Sequence, residues 1–166
     1  QPATINQELT SEEQFDFGWQ YYNGEGVAQD YKIAYEWFLK AANQGHTSAQ
    51  YNIAILYDYG EGVAQDYKIA YQWYIKAANK GHASAQANLA VLFLDGNGIK
   101  KNYSSAYYWV TRSTNQEDPG GQATFGYMYE NGFGVDKDSS LAYSWYKKAS
   151  QQGNEYASDR LEILGK

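Results

Sequence analysis

A chain of 166 residues with 43% hydrophobic content is long enough for one compact domain, or a short repeat array, with a continuous core. Its net charge is −6 and its 13 basic residues are scattered singly or in pairs, so no basic face exists to neutralise phosphates and a nucleic-acid binder is excluded. Without Cys there are no disulfides and no thiolate chemistry, and without an apolar run of ~18 residues no transmembrane helix is expected.

The chain starts at Gln1, and its only Met is Met128. That pattern is expected of a processed or trimmed form, and removal of an export signal predicts a periplasmic or secreted location, with a cytoplasmic one as the alternative. Residues 1–10 read as a polar, flexible leader. Ser11 with Gln14 then reads as a capping box opening the first helix.

From there a repeat dominates. Glycines pair at Gly24/Gly26, Gly60/Gly62, Gly96/Gly98 and Gly132/Gly134, and Trp recurs at Trp37, Trp73, Trp109 and Trp145, every step being 36 residues. Segments 24–50 and 60–86 match at 22 of 27 positions, so the repetition is not accidental. Each unit reads as helix, glycine loop, helix, turn. In the second, Ala49, Ile53, Leu56 and Tyr57 form one helical stripe. Gly60 and Gly62 break that helix, and Asp66 caps the next, as Asp30, Asn102 and Asp138 do elsewhere. The second helix is expected to bury Ala70, Trp73, Tyr74 and Ala77 and to end at Gly81. Small residues recur at Gly18, Ala54, Ala90 and Gly126, and at Ala34, Ala70, Ala106 and Ala142. They let antiparallel helices approach closely, while each Trp is expected to fill the space between hairpins.

The third junction departs from the rule. Ser113-Thr114-Asn115-Gln116-Glu117-Asp118 replaces Ala-Ala-Asn-x-Gly-His, followed by Pro119-Gly120-Gly121. Asp118 as N-cap with Pro119 at N1 remains a sound start. The doubled Gly costs roughly 1 kcal/mol of helix preference per residue, which predicts a softer seam between units three and four. At the end, Asn154 caps a last helix carrying Ala157, Leu161 and Leu164, which closes the final hairpin and stops at Gly165.

The string Gly60-Glu61-Gly62-Val63…Asp66…Ala70…Trp73-Tyr74…Lys76-Ala77-Ala78…Gly81…Ala85 resembles the Sel-1-like repeat, a relative of the tetratricopeptide repeat. The resemblance covers about residues 12–164. The third junction departs from it, as does the lack of the bridging Cys pairs that some secreted members carry. It implies an all-α fold: a right-handed α/α superhelix, or solenoid, of four 36-residue helix-loop-helix repeats plus a C-terminal capping helix. The predicted organisation is one repeat domain over 11–166, with units at about 11–46, 47–82, 83–118 and 119–154 and a cap at 155–166. The resemblance also implies a concave face lined by the first helices and a role in assembling protein complexes.

Comparing the units with one another locates a partner site. Positions constant in all units serve the shared fold, whereas variable ones on the same helices are free to serve a partner. Three variable columns share one face of the first helices: Phe15, Tyr51, Ala87, Ala123; Trp19, Ile55, Val91, Tyr127; and Tyr22, Asp58, Leu94, Glu130. The candidate partner-binding set is Phe15, Trp19, Tyr22, Tyr51, Ile55, Asp58, Val91, Leu94, Asp95, Tyr127 and Glu130. It is an apolar stripe with acidic points at Asp58, Asp95 and Glu130. The competing reading packs the same aromatics between neighbouring first helices as core.

No catalytic or metal site is expected. His46 and His82 are repeat equivalents and read as a turn requirement, such as a backbone hydrogen bond, rather than as a metal pair. Ser48 and Ser84 lack an orienting base and acid in one cleft. The Gly-x-Gly loops lack the strand, third Gly and Lys of a phosphate cradle. Asp136-x-Asp138 is too short for a calcium loop. The expected function is therefore a non-enzymatic, cofactor-free interaction module. It is predicted to be monomeric and to bind another protein, a basic one among the candidates, on its concave face. The alternative is an envelope immunity protein neutralising a secreted toxin. A hydrolase acting on peptidoglycan or β-lactams is the remote third.

Overall fold

Glycine punctuates every repeat. Gly24, Gly60, Gly96 and Gly132 end the first helices with φ of 72–75°, a left-handed conformation that strains any L side chain but not glycine. The structure, a computed structural model, describes residues 9–165. Of the leader expected over 1–10, all but Leu9 and Thr10 lie outside the described residues. Among the described residues the fold is all-α, with helices α1 (Ser11–Asn23), α2 (Tyr31–Asn43), α3 (Thr47–Tyr59), α4 (Tyr67–Asn79), α5 (Ala83–Asp95), α6 (Tyr103–Thr114), α7 (Pro119–Asn131), α8 (Ser139–Gln151) and α9 (Glu155–Leu164). None of these is long and apolar enough to cross a membrane. They fall into two compact units, one ending at Asp66 and one beginning at Tyr67.

In the first unit, the capping box lies one residue earlier than expected. Thr10, not Ser11, is the N-cap of α1, and its partner is Glu13, not Gln14. Both pairs fit the motif, but the Glu13 carboxylate takes the Thr10 N–H at 2.8 Å and its hydroxyl at 2.9 Å, and charged acceptors make the stronger bond. These two bonds hold the Glu13 carboxyl below the ordinary glutamate range. Gln14 is released to bond Leu9 and Gln44. Asp30 caps α2, accepting from Lys32 and Ile33. Helices α1 and α2 pack as a hairpin around Phe38, which is fully buried. A Cβ on Gly18 would lie 2.5 Å from that ring, so glycine is required there by contact. His46 caps α3, its Nδ1 accepting the Ala49 N–H at 3.1 Å, so the recurring histidine does serve a backbone bond.

In the second unit, α4 packs on α5, α5 on α6, α6 on α7, α7 on α8 and α8 on α9, while α5 also touches α7. His82, Asn102, Asp118, Asp138 and Asn154 cap the helices that follow them. Gly98 lies against α4, where a Cβ would come within 2.6 Å of Tyr67 Cβ. Gly126 faces Tyr146 as Gly18 faces Phe38: an added Cβ would sit 2.8 Å from the ring.

The recurring Trp is not the most buried residue of its helix, although Trp37 packs on Phe17 and Trp145 on Phe125. The fully buried position is the next one along, occupied by Phe38, Tyr74, Val110 and Tyr146. Trp37, Trp73 and Trp145 are half-buried, and Lys40, Lys76 and Lys148 place their ammonium groups 4.1, 4.0 and 4.3 Å above the rings. Adjacent positions on a helix differ by about 100°, so the stripe's centre reaches the partner helix while its edge stays near water. An indole with a cation three residues on suits that edge. Trp109 is the most enclosed of the four, with 8% of its surface exposed.

The irregular third junction has a packing logic. Glu117 stands where the other turns have Gly45, Gly81 and Gly153, and it is the one non-glycine described residue with positive φ, at 60°. Ser113 replaces Ala41, Ala77 and Ala149 and is fully buried. Gly121 replaces Ala49, Ala85 and Ala157, and a Cβ there would meet Ser113 Oγ at 2.2 Å. The two changes compensate. Asp118 ties the seam together: its carboxylate accepts from Gly121 N–H at 2.8 Å, Ser84 Oγ at 2.8 Å and Ser113 Oγ at 3.2 Å.

Candidate functional site

The first helices of the second unit, α5 and α7, present their variable faces side by side. The N-terminal turn of α9 completes the rim. The register explains why α9 belongs here. Asn154 is the 36-residue equivalent of His46, His82 and Asp118, so α9 has the placement of a first helix. Between these helices lies a groove of about 460 Å³, lined by Asn88, Val91, Leu94, Asp95, Gly120, Ala123, Thr124, Tyr127, Asn154 and Tyr156.

Four of the residues singled out from the sequence meet in this groove. Val91 is 37% exposed and Tyr127 half-buried, so both offer apolar surface. Asp95 is exposed. Leu94 departs from expectation: it is 4% exposed and forms floor rather than open contact surface, because it lies on the flank of α5 that packs inward. Glu130 departs further. It lies outside the lining and is no open acidic point. It accepts from Tyr146 Oη at 2.7 Å and from Arg160, whose Nε lies 3.2 Å away and whose Nη2 closes the ion pair. This cluster fastens α9 to the α7–α8 hairpin.

Most polar groups of the groove are committed internally. Asn88 donates to Tyr74 Oη, Thr124 to the Gly120 carbonyl, and Asn154 caps Ala157. Burial and the negative charge of Asp95 both raise the Tyr127 phenol above its ordinary pKa, so it stays a neutral hydrogen-bonding ring. Sequence reasoning misses Tyr156, because the repeat pattern marks α9 only as a cap. The signal was available, since Tyr156 occupies the repeat position of Ser48, Ser84 and Gly120.

The remaining candidates lie in the first unit. Phe15, Trp19 and Tyr22 form a stacked ladder along α1, with centroids 6.1 and 5.8 Å apart. Its two ends are engaged. Phe15 stacks on His46 at 4.5 Å and leans on Phe38 at 5.6 Å. Tyr22 directs its hydroxyl at Glu61, 3.5 Å away, and its pKa is pushed up to about 12, first by burial and then by Glu61. Trp19 is the open rung, 40% exposed. Tyr51, Ile55 and Asp58 are half-buried on α3. The expected stripe is thus part packing and part surface.

The histidines and Ser84 have structural occupations. His82 Nδ1 accepts the Ala85 N–H, and Ser84 donates to Asp118. A hydroxyl bonded straight to a carboxylate, beside an imidazole engaged by the backbone, lacks the order of a nucleophilic relay. Among the described residues, no group of three or more His, Asp or Glu is placed to hold a metal ion.

Sequence and structure comparisons agree on what such a chain is. The Sel1 repeat matches at residues 14–46, 47–82, 83–118 and 123–154. A search of curated proteins returned no match. Among solved structures, the chain is similar to a protective antigen of uropathogenic Escherichia coli strains that displays an SLR fold. That likeness has 38% identity and a TM-score of 0.81, over 93% of this chain and 33% of the antigen. It is also similar to a Sel1 repeat protein from Oxalobacter formigenes, with 35% identity and a TM-score of 0.74 over 91% of this chain and 62% of that one. Cysteine rich protein B of Helicobacter pylori, 22% identical with a TM-score of 0.58 over 83% of this chain and 99% of its own, shares the fold. The chain therefore spans about a third of the antigen and under two thirds of the Oxalobacter protein. Four matched repeats and these likenesses establish that the chain belongs to the Sel1 repeat family of α/α solenoids.

Proposed function

We propose that this chain is a non-enzymatic interaction module that takes an extended segment of a partner protein in the groove over α5, α7 and α9. The observation that carries this reading is the groove itself. Apolar side chains that vary between repeats line it, and its polar groups are mostly satisfied internally. Such a surface gains by shedding water onto another apolar surface and has few groups left to do chemistry. An extended segment suits the lining, since α5, α7 and the first turn of α9 each contribute residues to one groove.

The test is affinity capture from the source cell with the full chain, followed by mass spectrometry, in parallel with Val91→Glu/Tyr127→Ala. Recovery of a stoichiometric partner by the wild type, lost with the variant at unchanged helical circular dichroism, is the expected result. A partner retained by the variant would place binding elsewhere. We also infer an exported location. This location rests on the export signal expected to be missing ahead of Gln1. Cell fractionation that finds the chain only with cytoplasmic markers would refute it.

A further inference from the structure

The groove over α5, α7 and α9 holds one charge. Val91, Leu94 and Ala123 supply apolar surface, Tyr127 and Tyr156 supply rings, and Asp95 is the sole charged residue among the lining side chains. Asp95 is exposed and has no ion-pair partner among the described residues. The cation on α9, Arg160, is held by Glu130. Asp95 and Tyr127 line the same groove, and the Asp95 charge adds to burial in raising the Tyr127 phenol.

Three kinds of side chain can be weighed against that surface. An acidic or phosphorylated one meets Asp95 with repulsion and finds no cation to pair with. A purely aliphatic one covers the apolar floor but strips water from Asp95 without replacing it. A lysine or arginine satisfies both halves. Its methylene stem lies on apolar surface, while its cationic head pairs with a carboxylate and with tyrosine faces. We propose that this groove receives a lysine or arginine side chain of the partner segment. The stem would lie over Val91 and Leu94 and the head between Asp95 and the rings of Tyr127 and Tyr156. This proposal rests on the reading of the chain as an interaction module and adds the chemistry of what it selects.

The test selects random heptapeptides displayed on phage against the full chain. Synthetic copies of the selected peptide are then titrated by fluorescence anisotropy. Selected peptides are expected to share a Lys or Arg, and its replacement by norleucine should weaken binding about tenfold. Asp95→Asn should weaken the basic peptide about fivefold and leave the norleucine peptide unchanged. Peptides that need Tyr127, by Tyr127→Ala, yet show no basic residue and no response to Asp95→Asn would overturn this inference while leaving the interaction module standing. Selection of no peptide, or of peptides indifferent to Tyr127→Ala, would overturn both.

Discussion

Single atoms decide much of this structure. Ser113 and Gly121 exchange one methyl's worth of space: the serine adds an oxygen where three repeats have alanine, and the glycine removes the Cβ that would strike it. Gly121→Ala alone is expected to destabilise the protein by about 2 kcal/mol through overpacking. Adding Ser113→Ala should restore only part of that, because it removes the Oγ at 2.2 Å but leaves a Cβ at residue 113 only 2.7 Å from the new methyl. Denaturant unfolding of the two singles and the double measures the coupling, and simple additivity would show that the two sites do not touch. His82 makes a second residue-scale prediction. Its Nδ1 must be unprotonated to accept the Ala85 N–H, and burial lowers its pKa below the ordinary 6.5, opposed by the weaker pull of Asp118. The unfolded chain therefore binds a proton that the folded one resists. Stability from this group is complete above pH 6.5 and is lost as pH falls through the lower folded value. The melting temperature should drop between about pH 7.5 and pH 5, and His82→Asn, which keeps a capping acceptor without titrating, should shrink that drop. An unchanged drop in the variant would assign it to other groups.

At the scale of the helix, the third junction is the element most open to change. Its turn carries Glu117 in a left-handed conformation that costs a non-glycine residue about 1 kcal/mol. Two successive glycines then follow Pro119 in the first turn of α7. Against this stand the bonds of Asp118 and the Gln152 amide on the Glu117 carbonyl. Hydrogen exchange is expected to be faster at residues 113–122 than at the regular junction 77–86. Glu117→Gly should slow it and raise stability by about 1 kcal/mol. Equal protection of the two junctions in the wild type would count against the idea. The helices themselves were legible in the sequence because punctuation recurred with every unit: Asp30, Asn102 and Asp138 open second helices and the glycine pairs close first ones. What was misread concerned neighbours. Thr10 and Ser11 both satisfied the capping motif, and only the competition between Glu13 and Gln14 separated them. Trp73 and Tyr74 both lay on the apolar stripe, and periodicity cannot say which of two adjacent positions reaches the partner helix.

For the molecule as a whole, repetition divides labour between positions. Those shared by all repeats build the hairpins; those that differ are left to carry specificity. That contrast made Val91 and Tyr127 readable as surface, and the groove brings them together with Asp95. It could not reveal that Glu130 is bound by Arg160, because the repeat positions of Arg160 hold Asn52, Asn88 and Thr124, none of them a cation. Nor did it reveal Tyr156, which requires seeing α9 as a first helix without its second. The central claim is that the variable face of α5, α7 and α9 is where a partner sits. Amide hydrogen exchange of the chain, free and saturated with its captured partner, tests this most directly. New protection is expected along α5, along α7 and at the first turn of α9, with the outer faces of α6 and α8 around Tyr107, Tyr108 and Tyr143 unchanged. Protection centred on those outer tyrosines, with α5 and α7 unaltered, would contradict it.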